Sequence, residues 1–187
     1  PLMQSNPKIQ LIAIGRLDWQ KNYETMLHVA VELKKRNVDF SLSILGTGDV
    51  NYARSLFAMT KFLGVDDCVQ WQGWQSNIEK WFAKSDIFLH TAIDEACPLV
   101  LIEALQAGLP VVSSNAGGSA EVISGFAIGC GANDIETYVS QIIFTWQNIR
   151  EVTLKSRSQV PLVKDKFGVS RMREAYEACS ISILKRI

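Results

Sequence analysis

Short apolar runs alternate with helix-patterned stretches along nearly the whole chain, and this alternation restricts the fold more than any other feature. Residues 9–14 are rich in β-branched side chains and read as a strand. Residues 23–36 follow with helical spacing at Met26, Leu27, Ala30, Val31 and Leu33. The pattern repeats: strands at 40–45, 69–71, 87–90 and 111–113, with helices at 52–63, 99–107 and a short one ending at Ala83. A weaker sixth strand is predicted at 126–128, and Ser76 with Glu79 suggests a capping box for the short helix. From Ile135 the pattern is helical, with a break expected near Pro161 and a last helix over 169–187. Strands separated by crossover helices imply a Rossmann-like parallel sheet of about six strands with helices on both faces. The chain has 187 residues, one α/β domain's worth. Its core is expected over residues 8–131 and a helical tail over 134–187.

Sheets of this kind bind ligands at the carboxyl ends of their strands, so the residues just after each strand carry the functional question. The first strand opens into Gly15-Arg16-Leu17-Asp18-Trp19-Gln20-Lys21. Arg16 offers a planar fork for phosphate oxygens and Lys21 a point charge, although two loop cations are as often merely solvated. Gly46-Thr47-Gly48 closes the second strand, with Asn51 where a dinucleotide fingerprint needs its third glycine. After the fourth strand come Glu95 and, eight residues on, Glu103. Glu103 sits among Val100, Leu101, Ile102, Ala104 and Leu105, where a carboxylate needs partners. Ribose hydroxyls would serve, while helix capping by Glu95 and a peripheral salt bridge at Glu103 are the plainer alternatives. The helix start also offers the amides of Leu99 and Val100 to an anion. Gly117-Gly118 after the fifth strand permits a close backbone approach or a tight turn.

Nineteen basic residues balance nineteen acidic ones, so no global field recruits nucleic acid. The four cysteines form no C-x-x-C pair, which fits neither a zinc ribbon nor a disulfide framework and suits a reducing cytoplasm. No apolar run reaches membrane-spanning length. The two histidines, His28 and His90, lie far apart, and His90 reads as a satisfied strand-end residue.

Taken in order, Gly15-Arg16-Leu17 with Lys21, Gly46-Thr47-Gly48, Gly73, Glu95-x7-Glu103-Ala104 with Gly108-Leu109-Pro110-Val111-Val112, and Gly117-Gly118-Ser119-Ala120-Glu121 resemble the C-terminal domain of family-four retaining glycosyltransferases of the GT-B fold. The resemblance implies that Arg16 and Lys21 hold a donor diphosphate, with the amides of Leu99 and Val100 as its cradle. It gives Glu103 the ribose hydroxyls and Glu95, the catalytic candidate, the transferred sugar. Gly46, Gly48 and Gly73 then lie in loops near the base, and Glu121 is structural. Two departures bear on the donor: Ala96 and Pro98 stand where many relatives have glycine, and proline gives up one amide. The implied substrates are a UDP- or GDP-sugar donor and a glycan or lipid-linked acceptor. No metal or other cofactor is implied. The acceptor would reach the site through an N-terminal domain lying outside this chain, with the full-length protein touching the membrane peripherally. In the resembling family the diphosphate itself assists front-face attack, so Glu95 is not expected to be a nucleophile. A non-catalytic sugar-nucleotide-binding module and an epimerase of the same fold are the rival readings. A receiver-like signalling domain is disfavoured, since no acidic cluster follows the first strand.

Overall fold

The computed structural model describes residues 8–184. Six strands, β1 (Ile9–Ile14), β2 (Phe40–Leu45), β3 (Val69–Gly73), β4 (Ile87–His90), β5 (Val111–Ser114) and β6 (Gly129–Cys130), form one sheet in the order β3-β2-β1-β4-β5-β6. All pairings are parallel. Crossover connections demand helices on both faces, and the core divides accordingly. Along β1, Ile9, Leu11 and Ala13 join one apolar cluster with α1 (Tyr23–Lys35), α2 (Val50–Phe62) and α6 (Ile135–Gln147). Ile12, facing the other way, joins a second cluster with α3 (Ile78–Phe82), α4 (Leu99–Gln106), α5 (Gly118–Ile123) and Val163 of α7 (Ile149–Phe167). A last helix, α8, spans Val169–Leu184. The expected architecture is therefore the observed one.

β1 lies between β2 and β4, where the strand order reverses. That switch point opens a crevice at the carboxyl ends of the two strands, between the loop after β1 and the segment joining β4 to α4.

Four local expectations are corrected. The sixth strand is not 126–128: the amides of Phe126 and Ala127 both turn back to the Ile123 carbonyl, closing a turn, and the strand begins at Gly129. Asn77, not Ser76, caps α3, its side chain accepting from the Lys80 amide at 3.2 Å. Gly117-Gly118 opens α5 rather than an isolated turn. Within the helical tail, Tyr138, Val139 and Ile142 of α6 are fully buried against α1 and the sheet.

The fourth concerns Pro161, inside an unbroken α7. Val163, 1% exposed, anchors the helix in the second core cluster on the far side of the proline. Tertiary packing thus overrides the missing amide. The substitution Pro161→Ala, at an exposed position, restores that donor and should raise stability by about 1–2 kcal/mol. A lowered urea midpoint would contradict this.

Candidate functional site

The loop after β1 is held from several sides. The Gly15 amide donates to the Leu45 carbonyl and the Leu17 amide to that of Thr47, and Leu17 pairs with Gly48. So close a contact between two loops requires glycine. A Cβ on Gly48 would lie 2.0 Å from the Leu17 carbonyl oxygen, and one on Gly46 1.9 Å from that of Gly15. Both glycines therefore scaffold the Arg16 loop. Below it, the Tyr23 hydroxyl donates to the Gly15 carbonyl at 3.0 Å. Thr91 Oγ1 reaches the carbonyls of Lys21 and Asn22, both at 3.0 Å, and ties the loop to the end of β4.

These contacts carry Lys21 onto Glu95, which Glu95's helix-capping alternative did not foresee. Pro98 stands at the cap of α4, while the Glu95 carboxylate ion-pairs with the Lys21 ammonium through Oε1. Both side chains are largely buried, at 18% and 14% exposure. His90 Nε2 lies 3.5 Å from the same oxygen. Hydrogen bonding from a His90 ring protonated in acid comes first, and the Lys21 ammonium after it, in holding the Glu95 carboxyl down at about 2, with burial opposing both. Burial pushes His90 below its ordinary value, against the pull of Glu95. The ring is therefore neutral at neutral pH, and Lys21 is the cation that holds Glu95.

The glycine pair after β5 fixes Glu95 from behind. The Gly118 amide donates to the Glu95 carbonyl at 2.6 Å, and a Cβ on Gly118 would fall 2.0 Å from the Ala96 carbonyl oxygen. Sequence reasoning allowed a close approach here to a ligand; the partner is the backbone of residues 95–96.

The remaining candidates sit around this centre. Arg16 is 71% exposed and pairs with Asp18 at 2.6 Å. Pro98 offers no side-chain cap to α4, and among the described residues the leading amides of Leu99 and Val100 have no intrahelical partner. Glu103 stands apart from Lys21 and Glu95. It lines a groove of about 710 Å³ with Ile78, Phe82, Asp86 and Arg157, and burial raises its carboxyl above the ordinary value. Among the described residues it makes no ion pair, which removes the salt-bridge alternative. Gly73 holds a left-handed conformation with φ +66° at the end of β3, and its carbonyl accepts from the Gly46 amide. Trp19 and Trp74, 63% and 71% exposed, follow β1 and β3 and were not singled out in the sequence. Among the described residues no group of three or more His, Cys, Asp or Glu is placed to hold a metal, and no helix is long and apolar enough to cross a membrane.

This arrangement has relatives. The chain is 26% identical over 172 residues to an uncharacterized glycosyltransferase of Haemophilus influenzae, a match covering 89% of this chain and 47% of that protein. It is 32% identical over 109 residues to the lipopolysaccharide glucosyltransferase WaaG of Escherichia coli, covering 58% of this chain and 27% of that one. The chain thus spans less than half the length of these curated relatives. The fold matches Anabaena HepE, solved in complex with UDP and glucose, with a TM-score of 0.83 at 18% identity, over 92% of this chain and 48% of that one. It also matches the C-terminal domain of a group 1 glycosyltransferase, LpcC of Francisella tularensis, with a TM-score of 0.73 at 18% identity, over 87% and 88% of the two chains. Residues 3–148 match the family described as glycosyl transferases group 1. With a sheet, a switch-point crevice and a sequence match over most of its length, the chain belongs to the group 1 glycosyltransferase family, and its fold is that of a GT-B C-terminal domain.

Proposed function

We propose that this chain is the donor-binding half of a retaining glycosyltransferase that moves a hexose from a UDP- or GDP-sugar to a glycan or lipid-linked acceptor. One observation carries the reading. Lys21, Glu95 and the uncapped start of α4 meet at the carboxyl ends of β1 and β4, the switch point of the sheet. Transfer passes through an oxocarbenium-like state while negative charge grows on the departing diphosphate. Lys21, Arg16 and the amides of Leu99 and Val100 supply fixed positive potential to that charge, the work that a metal does elsewhere. Glu95 meets the transferred sugar, and Glu103 accepts hydrogen bonds from the ribose. The acceptor site lies in the rest of the protein, where a lipid-linked acceptor would bring the enzyme to a membrane surface. The isolated chain therefore binds donor without completing transfer.

The test is a cycle between Glu103 and the ribose. Glu103→Gln keeps the shape and removes the charge that strengthens two accepted hydrogen bonds. UDP affinity should fall roughly ten- to a hundred-fold, from about 1.5–3 kcal/mol. A 2′,3′-dideoxy analogue lacks both donors and should lose far less. Equal losses for the two ligands would remove Glu103 from the ribose site.

A further inference from the structure

His90 is 3% exposed, and among the described residues its Nε2 has no hydrogen-bond partner. A buried ring nitrogen without a partner is costly unless a neighbour compensates for it. Its orientation follows from the far side of the ring. Ser113 Oγ donates to the Ser114 carbonyl at 2.9 Å, so toward His90 Nδ1, 3.3 Å away, it accepts. The ring proton therefore sits on Nδ1, and Nε2 turns a lone pair toward Glu95 Oε1, 3.5 Å distant. A lone pair facing a carboxylate is tolerable here because the Lys21 ammonium sits on the same oxygen. The ring is stacked on Phe88 and cannot easily turn away.

Resting on the reading of Lys21 as a phosphate ligand, we infer that His90 is the positioning residue that takes over the Glu95 carboxylate when a ligand phosphate draws Lys21 away. Glu95 cannot stay in this buried place without a partner, and Nε2 is the polar atom already aimed at it. His90 then takes a proton from solvent at Nε2 and donates it to Oε1 in a charge-assisted hydrogen bond. Glu95 thus keeps its place beside the sugar in both the empty and the occupied site. The other groups around the ring do not compete for this role. Tyr23 from α1 and Tyr138 from α6 are phenols that burial keeps protonated, and the Tyr138 hydroxyl points at the His90 carbonyl at 3.4 Å. Ser113 and Ser114 from β5 carry no charge. Burial and Lys21 both keep His90 neutral in the empty site, and Glu95 is the group that favours its protonation.

The experiment is ¹⁵N NMR of the imidazoles in this chain, which has two histidines, with His90 assigned from the His90→Gln spectrum. The free chain should show the Nδ1–H tautomer. Lys21→Met removes the competing cation without any ligand, and the His90 pKa should rise by about one unit or more. Glu95→Gln should lower it. Saturating UDP should raise it in the wild-type chain as Lys21→Met does. An unchanged His90 pKa in Lys21→Met overturns the inference, and so does UDP that binds and leaves His90 untouched. Failure of UDP to bind at all would instead defeat the donor-site reading, while the Lys21→Met titration would still decide the role of His90.

Discussion

Gly46→Ala is expected to destabilise the chain by roughly 3–5 kcal/mol, a large part of a typical domain's stability. Two penalties coincide at this residue. Its φ of +139° is a conformation that side-chain-bearing residues adopt only at a cost of about 1–3 kcal/mol. The added Cβ would also stand 1.9 Å from the Gly15 carbonyl oxygen, inside any permitted contact. Relief cannot come from a rotamer change, because the obstacle is backbone. The Gly15 amide is itself bonded to Leu45, and the Gly46 amide to the Gly73 carbonyl. The loops after β1, β2 and β3 must therefore part together, taking Arg16 and Lys21 with them. Urea unfolding measures the loss, and a change below about 1 kcal/mol would mean that these loops are far softer than their contacts imply.

Lys21→Ala should weaken UDP binding by about ten- to a hundred-fold and also cost the fold about 1–3 kcal/mol. The second effect carries a pH signature. Glu95 titrates at about 2 in the folded chain, below its ordinary 4.5, so it contributes stability that is complete above 4.5 and lost as pH falls toward 2. Removing the ammonium weakens what holds that carboxyl down, and its folded pKa rises. The stability gap between wild type and variant should therefore be widest above pH 5 and narrow steadily as pH is lowered toward 2. A gap that does not change with pH would show that Lys21 acts through packing and not through Glu95. Arg16→Ala should lose similar affinity for UDP but little stability, because Arg16 is exposed and its ion pair is with its neighbour Asp18.

The fold was legible because its signals are periodic. β1 and β2 were bounded in sequence at the ends found in the structure, since each is a short apolar run closed by a glycine. What failed were the features decided at long range. Pro161 is a helix breaker by local rule, and only the burial of Val163 against a distant core cluster shows why α7 passes through it. Phe126 looks like a strand residue, but its ring packs near Phe167 and its amide closes a turn. In the site, the order of motifs marked Lys21 and Glu95 separately. Nothing in their spacing of 74 positions said that they would meet. The same holds for Gly118 and Ala96, and for His90, whose unpartnered nitrogen depends on where one serine's proton goes. Glu103 was chosen for its apolar helix, yet its groove is shaped by α3, a short helix with a weak sequence signal.

The donor site is tested most directly by titrating the chain calorimetrically with UDP-glucose and with GDP- and ADP-sugars, in the presence of excess EDTA. At least one should bind saturably at a single site, with the same affinity when magnesium replaces the chelator, and with that affinity reduced ten-fold or more by Lys21→Ala. Absence of binding by every sugar nucleotide, or binding that appears only with added magnesium or manganese, would contradict a metal-free donor site built from Lys21, Arg16 and the start of α4.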